Sequence, residues 1–558
     1  MKTGYKYKTG WRCAFIVMLL LVSFANGFAQ TFYTQFGKNR VQFNDFTWSF
    51  YESKNFVVYF YQGGQQYGEY SIYAAENNLP EIQTQLEYYL DRKIEILVFH
   101  NIADLNQTNI GNNYENTEAF SSGRTQVINN KVFVYYNGDH GHLEKQIREG
   151  IAKAYVANML FGDNVQEVVQ NAFLLNLPEW FKEGLIAYLG QGWSAELDSR
   201  LRDLILNNGF KNFNRLRAEE AVFAGHAFWY YLAQNYNKSA IPNLLYLTRV
   251  ERSLESGFIY VIGQTLQNTI DEWVDYNNSI YAIDENKRTA FADSMAVVKD
   301  KKLQRQITEL AINENGNLLG YAINKAGRYK IYVEDLDNNS KQKILAGGIA
   351  TFEMPINTNY PLLAWSKKSN TLAVVYQKRD QLYLLKYDAD TNEKTIDEIN
   401  KFQQVLDIDF TDDDKTLIFS AVRAGQCDLF TYYLPTTRVK QITNDFFDDL
   451  QPAFYKDEQR KGILFSSNRL NDTLRTQKQD TILPTGNFDL FFYDLKTNKS
   501  IATRLYSSPK ANEWQVQAYD NNTITFLSDQ NGIYNQFAGE FTDLFVRNDT
   551  VVMFKDST

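Results

Sequence analysis

The feature that most constrains this 558-residue chain is a repeat in its second half. From about residue 306 onward, a unit of roughly 40 to 60 residues returns: an apolar run, a polar turn, a second apolar run and an aromatic-rich run. The first unit contains Leu310-Ala311-Ile312, the turn Asn313-Glu314-Asn315-Gly316, Leu318-Leu319-Gly320-Tyr321 and Ile331-Tyr332-Val333. The third contains Leu406-Asp407-Ile408-Asp409-Phe410, the turn Thr411-Asp412-Asp413-Asp414-Lys415, Leu417-Ile418-Phe419-Ser420 and Leu429-Phe430-Thr431-Tyr432-Tyr433. The second includes Leu372–Tyr376, the fourth Ile463–Ser467, and a fifth begins near Val516. Such a unit cannot bury its apolar face alone and must stack on its neighbours, so the repeat predicts the blades of a β-propeller. Propellers hold ~4 to 8 blades. Five visible units leave three options for the ring: a shortened chain, a blade from elsewhere, or a repeat too degenerate to see.

Residues 30 to about 285 follow a different grammar. Phe56–Tyr61, Ile94–Phe99 and Val132–Tyr136 are β-branched and aromatic runs of strand length. Between the first two, Tyr70, Ala74, Ile82, Leu86 and Leu90 fall at near-helical intervals. After Asp139, Leu143, Ile147, Ile151, Tyr155 and Met159 recur every fourth residue and so share one helix face. Further helical patterns cover Trp180–Leu189, Ala221–Gln234 and Ile241–Tyr276. Strands first and helices later predict an α+β domain over 30–285. A charged helical connector over 286–305 then leads to the propeller over 306–558.

The first 29 residues read as an address. Lys2, Lys6, Lys8 and Arg12 precede the apolar run Cys13–Val22, and Ala25, Gly27 and Ala29 stand before Gln30 as a signal-peptidase site. The run is short of the ~20 residues that a spanning helix needs, and no later segment is long and apolar enough. The mature chain is therefore expected to be exported, without a transmembrane helix. Taking those four bases from a net charge of -9 leaves -13, which argues against a nucleic-acid partner held by phosphate neutralisation. Cys427 is the single cysteine after the leader, so no disulfide framework exists, and its strand-like surroundings predict a buried, inert thiol.

The blade pattern over about Ile307–Thr558 resembles the TolB-like class of periplasmic propellers. The first domain resembles the peptidase MA-like family of the gluzincin metalloprotease fold, of the Bacteroidetes type with a propeller appended. Four stretches carry this: Phe36–Phe43 continuing to Phe46-Thr47-Trp48, Asn55–Gly64, Gln146-Ile147-Arg148-Glu149-Gly150-Ile151-Ala152, and Leu177–Leu189. The resemblance implies a multidomain protein, an α+β metalloprotease-like domain followed by an all-β propeller of at least five blades.

In an active gluzincin, a helix bears His-Glu-x-x-His: both histidines bind zinc, the glutamate activates water, and a later helix supplies a third ligand. By that resemblance Arg148 and Ala152 occupy the histidine positions, Glu149 the catalytic glutamate and Glu183 the third ligand. A guanidinium does not ligate zinc at ordinary pH and alanine has no donor. No catalytic residue, metal or cofactor is therefore expected. The remaining metal candidates are Glu149, Glu183 and His142, but His142 lies two turns before Glu149, ~10 Å along the helix. Arg148 is expected to replace the metal's charge and to pair with Glu183. His140 and His142 read as solvated residues of a capping turn, His226 as a satisfied histidine on an aromatic helix, and His100 as a strand end with no nearby partner. The run Asp412-Asp413-Asp414 reads as a solvated hairpin in preference to a calcium site. No Gly-x-Ser-x-Gly motif occurs.

The leading expectation is a non-catalytic pseudo-peptidase and propeller of the cell envelope, in the periplasm or at the outer membrane, that scaffolds envelope or outer-membrane proteins. The alternative is an unconventional zinc metallopeptidase using Glu149 and Glu183. A weaker reading has the propeller bind peptide or glycan.

Overall fold

The computed structural model describes residues 42–109, 125–128, 130–162, 175, 177–207, 209–210, 212–285, 297, 306–349, 357–474, 486–497 and 500–542. The leader and all of the connector except residue 297 lie outside these residues.

The first part is a mixed α+β domain. Its sheet contains β1 (Trp48–Glu52), β2 (Phe56–Tyr61), β3 (Ile94–Phe99), β4 (Gln126–Ile128) and β5 (Lys131–Tyr135), in the order β1-β2-β3-β5-β4. The central β2, β3 and β5 are parallel, while β1 and β4 close the two edges antiparallel. Helix α1 (Gln65–Leu86) connects β2 to β3, and the short α2 (Ile102–Leu105) follows β3. The long α3 (His140–Phe161) leaves β5. Val58, Ile96, Val98, Val132 and Val134 bury one sheet face against Ala74, Ile82, Ile147 and Ile151 of α1 and α3. Gly150 allows α3 to approach closely, since a Cβ there would lie 2.1 Å from Val132 Cγ1. Strand β1 escapes hydrophobic pattern analysis because all five of its residues are exposed.

Helices α4 (Glu179–Gly190), α5 (Ala195–Leu206) and α6 (Ala218–Asn235) follow. The expected helix over Ile241–Tyr276 is instead three: α7 (Ala240–Glu251), α8 (Leu254–Val261) and α9 (Leu266–Glu285). Arg252 at φ 54° and Gly263 at φ 87° take the left-handed conformation that ends a helix. Apolar periodicity persists across the breaks because Leu244, Phe258 and Trp273 enter one core.

The second part is an all-β propeller of five blades. The first blade is β6–β9 (Gln306–Ile312, Leu318–Lys325, Arg328–Asp335, Ser340–Gly347) and the second β10–β13 (Leu362–Trp365, Thr371–Lys378, Gln381–Asp388, Lys394–Ile399). The third is β14–β17 (Gln404–Phe410, Thr416–Arg423, Gln426–Tyr433, Arg438–Gln441) and the fourth β18–β21 (Asp449–Lys456, Lys461–Ser467, Asp489–Asp494, Thr503–Tyr506). Three strands of the fifth are described, β22–β24 (Glu513–Ala518, Thr523–Ser528, Asn535–Glu540). Each blade is an antiparallel meander, and the first strands touch in succession from β6 to β22. At the start of the series, Leu310 and Ile312 of β6 are 54% and 52% exposed.

The two parts share one hydrophobic cluster. Val422 and Cys427 of the third blade are buried with Tyr67, Ala74 and Tyr136 of the first domain. Burial pushes the Cys427 thiol well above its usual range, in keeping with an inert residue.

Candidate functional site

Helix α3 carries the residues singled out by the peptidase resemblance. Its first turn is capped by Asp139, whose side chain accepts from the Gly141 N–H at 2.7 Å. Ala152 is fully buried in the core. Arg148 Nη1 donates to Glu81 Oε2 at 2.8 Å and to Asn78 Oδ1, both on α1, while Nε reaches Leu189 O at 3.2 Å. The C-terminal carbonyls of a helix attract a cation, which explains the last contact. The expected Arg148–Glu183 pair is thus corrected. Arg148 finds its counter-charge on Glu81, and the Glu183 carboxylate lies 3.6 Å from Lys153 Nζ, farther along α3.

Glu149 is enclosed, at 9% exposure. Its Oε2 accepts from Thr125 Oγ1 at 2.7 Å, and Oε1 lies 3.9 Å from Lys145 Nζ. Gly190, which ends α4, packs on it so closely that a Cβ would fall 2.3 Å from Glu149 Cγ. Helix α4 itself is pinned to α6 by a glycine pair: a Cβ on Gly225 would stand 2.1 Å from Trp180 O, and one on Gly184 2.4 Å from Gly225 Cα.

His140 is buried, contrary to the expectation of a solvated residue, and His142 is half-buried. His142 Nδ1 lies 3.0 Å from Gln146 Nε2, and burial, with Lys145 nearby, pushes its pKa down to about 4. His226 is buried between Trp193 and Tyr188, and burial with Lys145 likewise brings it to about 4. Both imidazoles are neutral at physiological pH. His100 does acquire partners: it stacks on Tyr61 and meets Gln403 of the propeller. Among the described residues, the one group of three or more metal-ligating side chains close enough to share an ion is Asp428, Asp445 and Asp449. Glu149, Glu183 and His142 form no such group.

That acidic group belongs to a buried polar junction which pattern analysis missed. Arg469 Nη2 donates to both Asp449 oxygens at 2.6 and 2.7 Å and Nη1 to Asp445 at 3.3 Å, all with fully buried side chains. Thr443 and Gln441 donate to Asp428. The neighbouring Asp448 is completely buried and binds the start of α3. It receives the His140 N–H at 2.9 Å and the Tyr136 hydroxyl at 2.8 Å, and lies 2.7 Å from His140 Nδ1. Asn468 holds Asp448 from the propeller side, donating at 3.0 Å and accepting its N–H at 2.8 Å. A helix N-terminus favours a carboxylate, so a propeller residue completes the first domain's helix. Gln404 adds a second link, donating to His100 O at 2.7 Å and Tyr136 O at 2.9 Å. The available signal was the acidic run Asp445-Phe446-Phe447-Asp448-Asp449 followed by Asn468-Arg469 at a strand end.

The blade turn at Asp412-Asp413-Asp414 is a hairpin, as expected. Asp413 accepts the Lys415 and Thr416 N–H groups at 2.8 Å, and Asp412 pairs with Lys456 and Lys461 of the next blade.

No family profile and no curated protein matches the chain. Among solved structures it is similar to TolB from Acinetobacter baumannii, at 16% identity and a TM-score of 0.30 over 42% of this chain and 50% of that one. It is also similar to the β-propeller domain of the Trilobed protease from Pyrococcus furiosus, at 12% identity and a TM-score of 0.27 over 42% of this chain and 82% of that one. A third likeness is prolyl oligopeptidase B from Galerina marginata, at 11% identity and a TM-score of 0.30 over 42% of this chain and 34% of that one. The matched stretch spans half the length of the TolB chain. At these TM-scores the likenesses carry no argument about this chain.

Proposed function

We propose that the protein is a non-catalytic, peptidase-derived scaffold of the cell envelope whose two domains act as one rigid binding body. The observation that carries this reading is the use made of α3. Where an active gluzincin would present two histidines, Arg148 is engaged by Glu81 and Ala152 is buried in the core. The remaining donors, Glu149 and Glu183, do not make a set that fits zinc, which takes three protein ligands and a water in catalytic sites. The N-terminal turn of the same helix is bonded to the propeller through Asp448.

The resemblance to peptidase MA-like domains is supported by the order of strands, then α3, then α4, which sets Glu149 and Glu183 on packed neighbouring helices. Export rests on the leader pattern. No described helix is long and apolar enough to cross a membrane. Propellers offer broad surfaces to protein partners, and envelope proteins are the partners this reading assigns. The reading is tested by in-cell crosslinking from surface positions of both domains, with identification of the adducts after fractionation, alongside peptide hydrolysis by the purified chain. It expects adducts with envelope proteins and no hydrolysis. Glu149-dependent hydrolysis, or adducts confined to cytoplasmic proteins, would overturn it.

A further inference from the structure

The sheet of the first domain ends at an edge that the chain leaves bare. Strand β1 pairs with β2 on one side only. The Ser53 N–H donates to Phe56 O at 2.9 Å, which makes Ser53 and Phe56 a hydrogen-bonded pair. Such pairs alternate along an antiparallel ladder. Ser49 and Tyr51 therefore bond to β2, while the N–H and C=O groups of Trp48, Phe50 and Glu52 point out from the sheet. All five residues are exposed, and among the described residues no hydrogen bond reaches those outward backbone groups.

The strand is nonetheless firmly set. Gln62 ties its start, Oε1 accepting the Thr47 N–H at 2.8 Å and Nε2 donating to Asp45 O at 2.7 Å. Lys93 holds Glu52 at the other end, at 2.6 Å. Trp48 packs edge-on to Tyr61 and Phe99, Phe50 lies beside Tyr59, and Tyr51 meets Phe60 on the opposite face.

A second observation is the contrast with other edges of the same molecule. Exposed edges are guarded by lysine, proline, a bulge or short length. The outermost strands of the first four blades each carry a base: Lys341 in β9, Lys394 in β13, Arg438 in β17 and Arg504 in β21. Strand β4, at the far edge of the first sheet, is only three residues long. Strand β1 has no base, no proline and no break in register, and its one charge is matched by Lys93. Donors and acceptors alternating along a straight, pre-set line select an extended backbone as their complement.

We propose that β1 binds an extended segment of another polypeptide as an added strand, with Trp48 and Phe50 beside its side chains on one face and Tyr51 on the other. Aromatic residues on both faces call for an uncharged segment rich in β-branched or aromatic residues. A second copy of this chain is the poorer fit. Two β1 strands meeting about Phe50 would engage five residues each, where stable interfaces use about 20–30 a side. The proposal goes beyond the scaffold reading, because an active peptidase would keep the same edge.

The test is calorimetric titration of the full chain with acetyl-Lys-Gly-Val-Thr-Val-Tyr-Val-Gly-Lys-amide and two N-methylated forms of it. One form is methylated at the three valines of the core, the other at the threonine and tyrosine between them. The parent is expected to bind with a Kd below about 1 mM. An added strand offers one edge to β1 and the other to water, so one methylated form is expected to lose about 10-fold or more while the other binds like the parent. Phe50→Pro removes an outward N–H that β2 does not use, and is expected to weaken the parent about 10-fold or more with little change in Tm. Phe50→Thr keeps that N–H and is expected to weaken it less. Where Phe50→Pro lowers Tm as well, the methylated pair decides alone. No binding of the parent up to about 1 mM, equal effects of the two methylation patterns, or undiminished binding by a stably folded Phe50→Pro would overturn the proposal. So would a concentration-dependent dimer that excludes the peptide and is lost in Phe50→Pro, since the edge would then belong to a second copy.

Discussion

The two ends of the story on α3 invite comparison. At its first turn, His140 and Tyr136 give their hydrogen bonds to a propeller carboxylate from which water is wholly excluded. Two turns on, Arg148 meets a Glu81 side chain that is 53% exposed, and Glu149 lies 3.9 Å from Lys145. A desolvated carboxylate is expensive to leave unmatched, whereas an ion pair open to water exchanges cheaply with solvent. The most fully desolvated carboxylate thus ties the domains together, whereas the ion pair of Arg148 is open to water on its Glu81 side.

Breaking the junction should give the largest effect. Asp448→Ala strands the His140 N–H, the Tyr136 hydroxyl and Asn468 in a buried site, and is expected to cost about 3–5 kcal/mol in urea unfolding. A loss below about 1 kcal/mol would remove the junction as the main tie between the domains. A smaller loss, about 1–3 kcal/mol, is expected from Gly225→Ala, because the added Cβ meets the Trp180 carbonyl at the α4–α6 crossing. Melting like that of the wild type would show that the helices can separate without penalty.

The junction should also respond to pH. Burial and then Asp448 push Asp139 up to about 6, and burial followed by neighbouring acids raises Asp428 and Asp445. Each keeps its proton in the folded chain where the unfolded chain has lost it, so stability falls as pH rises from about 4 through about 6. Between pH 5 and pH 7.5 Asp139 alone is expected to remove about 1 kcal/mol, read as a lower urea midpoint at the higher pH. A midpoint that rose over this interval would contradict the assignment. The smallest effect is expected from Arg148→Gln, at most about 1 kcal/mol, because Glu81 is left in water. A loss matching that of Asp448→Ala would erase the contrast between the two regions.

The repeat and the sheet strands were legible because each unit carries its own period. Phe56–Tyr61 and Ile94–Phe99 coincide with β2 and β3, and the blade runs at Leu372, Leu417 and Ile463 lie in central strands. Helix breaks at Arg252 and Gly263 were not, since apolar spacing reports which face is buried and not where φ changes sign. The Arg148–Glu183 pairing failed for a related reason: the family resemblance set both residues on neighbouring helices, but the choice of Glu81 depends on α1, whose approach no local pattern encodes. Asp448 was invisible for the same cause. Its partners His140 and Tyr136 lie some three hundred positions away, and an acidic run in isolation reads as a solvated turn.

Zinc content of the purified residues 30–558, measured by mass spectrometry on the wild type, Glu149→Gln and Glu183→Ala, tests the central claim most directly. The account predicts no stoichiometric zinc in any of the three and no loss of folding in the two variants. One zinc per wild-type chain that disappears in Glu183→Ala would contradict it and make peptide hydrolysis the working function.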